Sequence, residues 1–183
     1  MVLTESAAMA IGSRAPKFSL PDTRDNQQVS LSDHKNKPVL IVFMCNHCPY
    51  VVHLLDELAA VAHQFASDGI TTITISSNDS AKYPQDGPEK MGDLARQNNW
   101  QFPYCFDESQ TVAQAYGAVC TPDIFLFDAD HDLYYHGQFD ETRPGHGQAH
   151  GGNLKKAAAS LLAGKSAPSS THPSVGCSIK WKD

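Results

Sequence analysis

Two cysteines stand two residues apart in "CNHCPY" (residues 45–50), with His47 between Cys45 and Cys48 and Pro49 directly after them. Thiols at this spacing have two chemical uses. They can close and open a disulfide, the thiolate being the attacking form, or they can supply half of a soft-metal site. For the second use, Cys120 and His47 are the available additions to Cys45 and Cys48, giving a thiolate cluster for Cu(I) or Zn(II) as the alternative reading. Cys105, between Tyr104 and Phe106, reads as a small core residue. Cys120 and Cys177 are candidate further redox thiols, Cys177 as a resolving cysteine in the tail.

The residues before and after the pair are those that would position it. "PVLIVFM" (38–44) is an unbroken apolar run, expected of a strand buried on both faces. Behind it Val51, Leu54, Leu55, Leu58, Val61, Ala62 and Phe65 recur at helical spacing. The pair therefore lies in a turn between a central strand and a helix N-terminus. There the unpaired amides and the helix dipole favour an anion. Lowering a thiol from about 8.5 to about 6 requires roughly 3.4 kcal/mol, whereas the dipole supplies up to about 2 kcal/mol. A further donor or cation is required, and His47 is the nearest in sequence.

The alternation continues with a strand at 70–76, a helix from Pro88 to Gln97, a short strand at 102–106 and a helix capped by Asp107 and stopped by Gly117. "DIFLFD" and "LYYHG" then read as a hairpin around "ADHD", and Asn153 as the cap of an alanine-rich helix that ends at Gly164. The tail from Lys165 has linker composition until "CSIKWK", whose alternation suits a sheet edge. The pattern predicts an α/β layer fold with a mixed sheet, as one domain over 1–183 with the tail, 165–183, packed on or near it. Thr121-Pro122, a pair that suits a cis bond in a tight turn, precedes a strand antiparallel to 38–44. The cysteine turn, Pro122, Asn78 and Asp79, and the loop 138–152 with Arg143 all converge at one sheet edge, where ligands bind in such folds.

Composition narrows the rest. A net charge of −6 with scattered lysines and arginines gives no footprint for nucleic acid or an anionic membrane. No run approaches a membrane span and no leader pattern opens the chain, so a cytoplasmic protein is expected. In a reducing compartment the pair reads as redox or metal chemistry.

The motifs "CNHCPYV", "SSNDSAKYPQDGPEKM", "AYGAVCTPDIFLFD", "SRAPKFSLPD" and "GCSIKWK" resemble a peroxiredoxin-like branch of the redoxin (AhpC/TSA) superfamily that carries a thioredoxin-style C-x-x-C pair. The resemblance covers about residues 11–183. It implies a thioredoxin-like fold, with a mixed central sheet, flanking helices and an N-terminal strand or hairpin extension. The implied activity is that of an antioxidant thiol-disulfide oxidoreductase without cofactor or resident metal. In that scheme Cys45 and Cys48 form the redox couple with His47 beside them and the backbone at Thr121 before Pro122 pairs with an extended substrate; Asn78 and Arg143, which converge on the same edge, are expected to assist in binding. The implied partners are a disulfide-containing protein or a small thiol or peroxide, a thiol reductant, and a second copy of the chain as a possible homo-oligomer.

The departures bear on mechanism. Aligned on Cys48-Pro49, the peroxiredoxin threonine falls at Cys45, its proline at Ile41, and its arginine at about Pro122. The buried aspartate of thioredoxins falls at Val39, which leaves His47 or Asp79 to accept a proton. Two frames follow. A helix starting at Cys45 makes that thiol the nucleophile and Cys48 the resolving partner, the favoured frame. A helix starting at Pro49 puts Cys48 at the N-cap and suits a thiol-dependent peroxidase, with Arg143 as the replacement cation.

Overall fold

The computed structural model describes residues 3–7 and 9–183. Its strands are β1 (Leu3–Glu5), β2 (Ser19–Pro21), β3 (Gln28–Ser30), β4 (Val39–Phe43), β5 (Thr71–Ser76), β6 (Tyr104–Phe106), β7 (Cys120–Thr121), β8 (Asp123–Phe127), β9 (Leu133–His136) and β10 (Val175–Ser178). The helices are α1 (Pro49–Ser67), α2 (Pro88–Gln97), α3 (Thr111–Tyr116) and α4 (Gly152–Leu162), with short 3-10 turns at Leu31–His34 and Pro84–Asp86.

The central sheet runs β6-β5-β4-β8-β9. β4 pairs in parallel with β5 and antiparallel with β8, with Phe43 opposite both Ile75 and Asp123. The unbroken apolar run of β4 is explained by this position, because both of its faces are covered and all five residues are buried. Alternate residues feed two cores. Leu40, Val42, Ile124 and Leu126 pack with the apolar stripes of α1 and α4, while Val39, Ile41, Phe43, Phe125 and Phe127 pack with Tyr116 of α3 and with Phe18 and Leu20 near β2. β2 and β3 form the expected N-terminal hairpin.

Helix α1 starts where proline can start it. Pro49 occupies the first helical position, where its missing N–H is not needed. Val51, Leu54, Leu58, Val61, Ala62 and Phe65 are buried against the sheet, each large side chain contributing about 1.5–3 kcal/mol. The helix stops at Asp68, followed by Gly69 at φ +86, where a left-handed residue is required.

Three expectations are corrected. Helix α3 begins at Thr111 and not after Asp107, because Gln110 takes a left-handed conformation that breaks the turn; Asp107 still caps the helix through its Oδ2, which accepts the Ala113 amide. Asn153 lies inside the first turn of α4, whose cap is the left-handed Gly151. The third concerns the place of the tail strand, expected at a sheet edge, which pairs on both sides and lies outside the central sheet. β10 instead forms a separate three-stranded sheet, β1-β10-β7, with Cys177 opposite both Leu3 and Thr121.

Phe125 lies in the second core, edge-to-face with Phe43 and Tyr116 and stacked on His136 with ring centroids 4.0 Å apart. Phe125→Ala is expected to cost about 3–5 kcal/mol, seen in urea unfolding as a lower midpoint with an unchanged slope.

Candidate active site

The turn 45–48 hangs from a buried carboxylate. Asp86, from the 3-10 turn Pro84–Asp86, accepts the Asn46 amide at 2.9 Å and the His47 amide at 3.3 Å through Oδ1. Its Oδ2 accepts His47 Nδ1–H at 2.5 Å and Asn78 Nδ2–H at 2.9 Å. With four donors, the ion is satisfied although fully buried. His47 also stacks on Tyr83, rings 5.5 Å apart and 5° from parallel. Asp86 was not among the residues singled out from sequence.

The turn delivers Cys48 to the N-cap of α1, with Pro49 as the first helical residue. The frame in which the helix starts at Cys45 is therefore not adopted, because Pro49 fixes the start four residues later. Three sulfurs meet here. Cys48 Sγ lies 2.8 Å from Cys177 Sγ and 3.1 Å from the Thr121 carbonyl oxygen, and Cys45 Sγ lies 3.5 Å from Thr121 Oγ1 and 3.9 Å from His47 Nδ1. The bond between Thr121 and Pro122 is cis, as expected.

Their acidities diverge. The Cys48 thiol is pulled down to about 5, first by the hydrogen bond from the Cys45 S–H and then by donation from the Cys177 thiol and amide and the Val51 amide, against the opposing effect of burial. Cys45 is driven far up by donating to Cys48, by burial and by the Asp86 charge. Burial and the neighbouring Cys48 raise Cys177 to about 12. Cys48 is thus the most acidic of the three thiols, and while protonated it donates to the Thr121 carbonyl oxygen at 3.1 Å. The donors missing from the helix-dipole argument are sulfhydryls and amides, not a cation.

The other expected residues fall into place around this cluster. Asn78 is buried, with Nδ2 on Asp86 and Oδ1 accepting the Lys180 amide, so it ties the cysteine turn to the tail and does not face a ligand. The Asp79 carboxylate caps the Ala81 amide and is not the neighbour of either thiol. Arg143 is spent on its own loop, donating to the carbonyls of Asp140 and Thr142 and to Gln138 Oε1, so it does not replace the missing cation at Cys48. It does line a shallow cleft with Tyr50, His53, Pro122 and Phe139. Burial raises Cys105 strongly, in line with a core role. The Cys120 thiol, also raised by burial, donates to the Pro122 carbonyl oxygen at 3.7 Å.

The alternative metal cluster of Cys45, Cys48 and Cys120 is not one that the fold assembles. Among the described residues, the group of three whose ligand atoms converge is Cys45, His47 and Asp86. Both Asp86 oxygens are occupied by two donors each, which makes this group the anchor of the turn.

A cysteine at a helix start, a cis-proline beside it and a mixed five-stranded sheet can be compared with known proteins. The profile described as the AhpC/TSA family matches residues 11–136. This chain belongs to that family. Its fold is thioredoxin-like, shared with a thioredoxin-family thiol:disulfide interchange protein from Chlorobium tepidum at 18% identity and TM-score 0.65, covering 85% of this chain and 99% of the other. Much nearer is a crystal structure of an uncharacterized conserved protein from Geobacillus kaustophilus, 42% identical with TM-score 0.96, covering 100% of this chain and 97% of that one. A curated relative, the thiol-disulfide oxidoreductase ResA of Geobacillus thermodenitrificans, is 28% identical over 68% of this chain and 67% of its own length. The AhpC/TSA membership and this relative support a general redox function. None of the helices among the described residues is long and apolar enough to cross a membrane.

Two measurements test the site. Ultraviolet absorbance of thiolate should rise in a step centred near pH 5, and Cys48→Ser should remove it; a first step at the ordinary thiol value of about 8.5 would contradict the assignment. Because the folded value lies below the unfolded one, the stability owed to the Cys48 thiolate is complete above the unfolded value and is lost as pH falls through about 5. Asp86→Asn turns an acceptor into a donor facing other donors and is expected to cost about 1–3 kcal/mol, measured by denaturant unfolding.

Proposed function

We propose that this AhpC/TSA protein is a thiol-disulfide oxidoreductase in which Cys48 attacks and Cys45 resolves. The observation that carries this reading is the Cys48 sulfur at the N-cap of α1, 2.8 Å from Cys177 Sγ; hydrogen bonding from neighbouring thiols and amides lowers its pKa. Cys48 attacks one sulfur of a disulfide and expels the other as thiolate. The Cys45 thiol then gives its proton to the expelled thiolate and attacks the Cys48 sulfur, releasing the second half as thiolate and leaving the Cys45–Cys48 disulfide. As Cys48 gives up its negative charge in the first step, it ceases to hold the Cys45 proton, which favours the second. The roles are the reverse of those the thioredoxin resemblance implies.

The substrate that fits is a small disulfide. The backbone edge at Thr121, expected to receive a polypeptide, is taken by β10. Both cysteines are at most 1% exposed, and Tyr50 and Pro122, close in the chain to Cys48 and Thr121, line a cleft with His53 and Arg143. Peroxide reduction is the second reading, favoured by the Cys48-Pro49 frame itself and disfavoured by the commitment of Arg143 elsewhere.

Rapid mixing decides between them. With reduced Cys45→Ser/Cys177→Ser protein, cystamine should leave a mixed disulfide that maps to Cys48 by mass spectrometry, formed faster than peroxide oxidises the same sulfur. Peroxide reacting far faster, with sulfenic acid at Cys48, would install the peroxidase reading. A failure of Cys48 to form any adduct would remove it as the nucleophile.

A further inference from the structure

Strand β10 lies where the fold would take a substrate strand. It pairs antiparallel with β7, placing Cys177 opposite Thr121, the residue before the cis-proline, and Ser178 opposite Cys120. The fit is close: a Cβ on Gly176 would stand 1.9 Å from the Thr121 carbonyl oxygen, so only glycine can precede the cysteine in this register. The Cys177 sulfur is then 2.8 Å from Cys48 Sγ, the position that the sulfur of an exchanging partner takes.

The strand is fixed on every side. β1 covers its other edge, with Leu3 opposite Cys177. Upstream, Ser174 Oγ donates to the Gly137 carbonyl oxygen at 2.8 Å. Downstream, the Ile179 amide donates to the Val119 carbonyl oxygen at 2.9 Å, and the Lys180 amide to Asn78 Oδ1 at 2.9 Å. Asn78 in turn holds Asp86, so the tail and the cysteine turn are positioned by one set of hydrogen bonds.

We propose that β10 is a resident substrate strand and that Cys177 is a third redox cysteine, forming a disulfide with Cys48 in alternation with Cys45. The step rests on the reading of Cys48 as nucleophile. Cys48 thiolate attacks an external small disulfide, RSSR, expelling RS⁻ and leaving Cys48–S–S–R. The Cys177 thiol gives its proton to the expelled RS⁻ and attacks the Cys48 sulfur; the Cys48–Cys177 bond forms and the second RS⁻ leaves. Two electrons pass from the two cysteines to the external disulfide, which departs as a thiol and a thiolate. Attack by the Cys45 thiol on Cys48 then moves the bond to Cys45–Cys48 and returns the proton to Cys177, with no net oxidation.

The test uses the full chain. Reduced wild type and the Cys45→Ser and Cys177→Ser variants are treated with cystamine, quenched with an alkylating agent, and digested without reduction for mass spectrometry, with far-ultraviolet circular dichroism confirming that each variant is folded. In Cys45→Ser, whose tail is unaltered, the expected product is a monomer in which the Cys48 peptide is joined to the Cys177 peptide. In Cys177→Ser, the expected product is Cys45–Cys48 alone. The proposal is overturned if Cys45→Ser keeps the cystamine half on Cys48 while Cys177 is found alkylated. That result would leave Cys48 as nucleophile, whereas the absence of any Cys48 disulfide in every variant would overturn both readings.

Discussion

A single buried carboxylate holds the site together. Asp86 is a fully buried carboxylate, and it is tolerated because two backbone amides, an imidazole and a carboxamide all donate to it. Those four donors belong to the cysteine turn and to the end of β5, and through Asn78 the same network reaches the amide of Lys180 beyond β10. The position of three sulfurs therefore follows from where one charge can be satisfied. The charge also acts on the chemistry, since it discourages ionisation of Cys45 and so keeps that thiol as a donor to Cys48.

This arrangement solves the electrostatic problem of a buried thiolate without a cation. Burial opposes the charge on Cys48, and the helix dipole alone is too small to offset a shift of several pKa units. Sulfhydryl and amide donors make up the difference. The sulfhydryl part of this stabilisation therefore depends on the redox state of the neighbours: it exists only while Cys45 and Cys177 carry protons, whereas the amide part does not. Once Cys48 enters a covalent bond the demand for donors disappears, and the neighbours' protons are no longer held by it.

Much of this was legible in the sequence. The apolar run of β4, the stripe of α1, the hairpin of β8 and β9 and the Thr121-Pro122 pair follow from local pattern and local sterics, and the structure has them where expected. The helix start was legible in part, since Pro49 offered one of two frames and only packing chooses between them. Asp86 was not legible: it lies in "YPQDGP", which reads as a loop, and its partners in the turn are 40 and 39 residues away. The alternation of the tail announced a strand at some edge. That the edge was β7 could not be read from a pattern, because β1 and β7 are too short to show one and their pairing with β10 is entirely long-range.

The separation of the sulfurs along the chain has its own consequence. Cys45 and Cys48 are near neighbours in any conformation, but Cys48 and Cys177 are 129 residues apart and meet only when the fold is complete. An unfolded chain closes the short ring far more readily, since the entropy of closure grows with loop length. A long-ring bond would conversely remove about 4–5 kcal/mol worth of freedom from the unfolded ensemble, while the short ring removes about 2 kcal/mol. Moving one covalent bond between two adjacent sulfurs would thus change how tightly the whole chain is cross-linked, making conformational stability a readout of which cysteine holds Cys48.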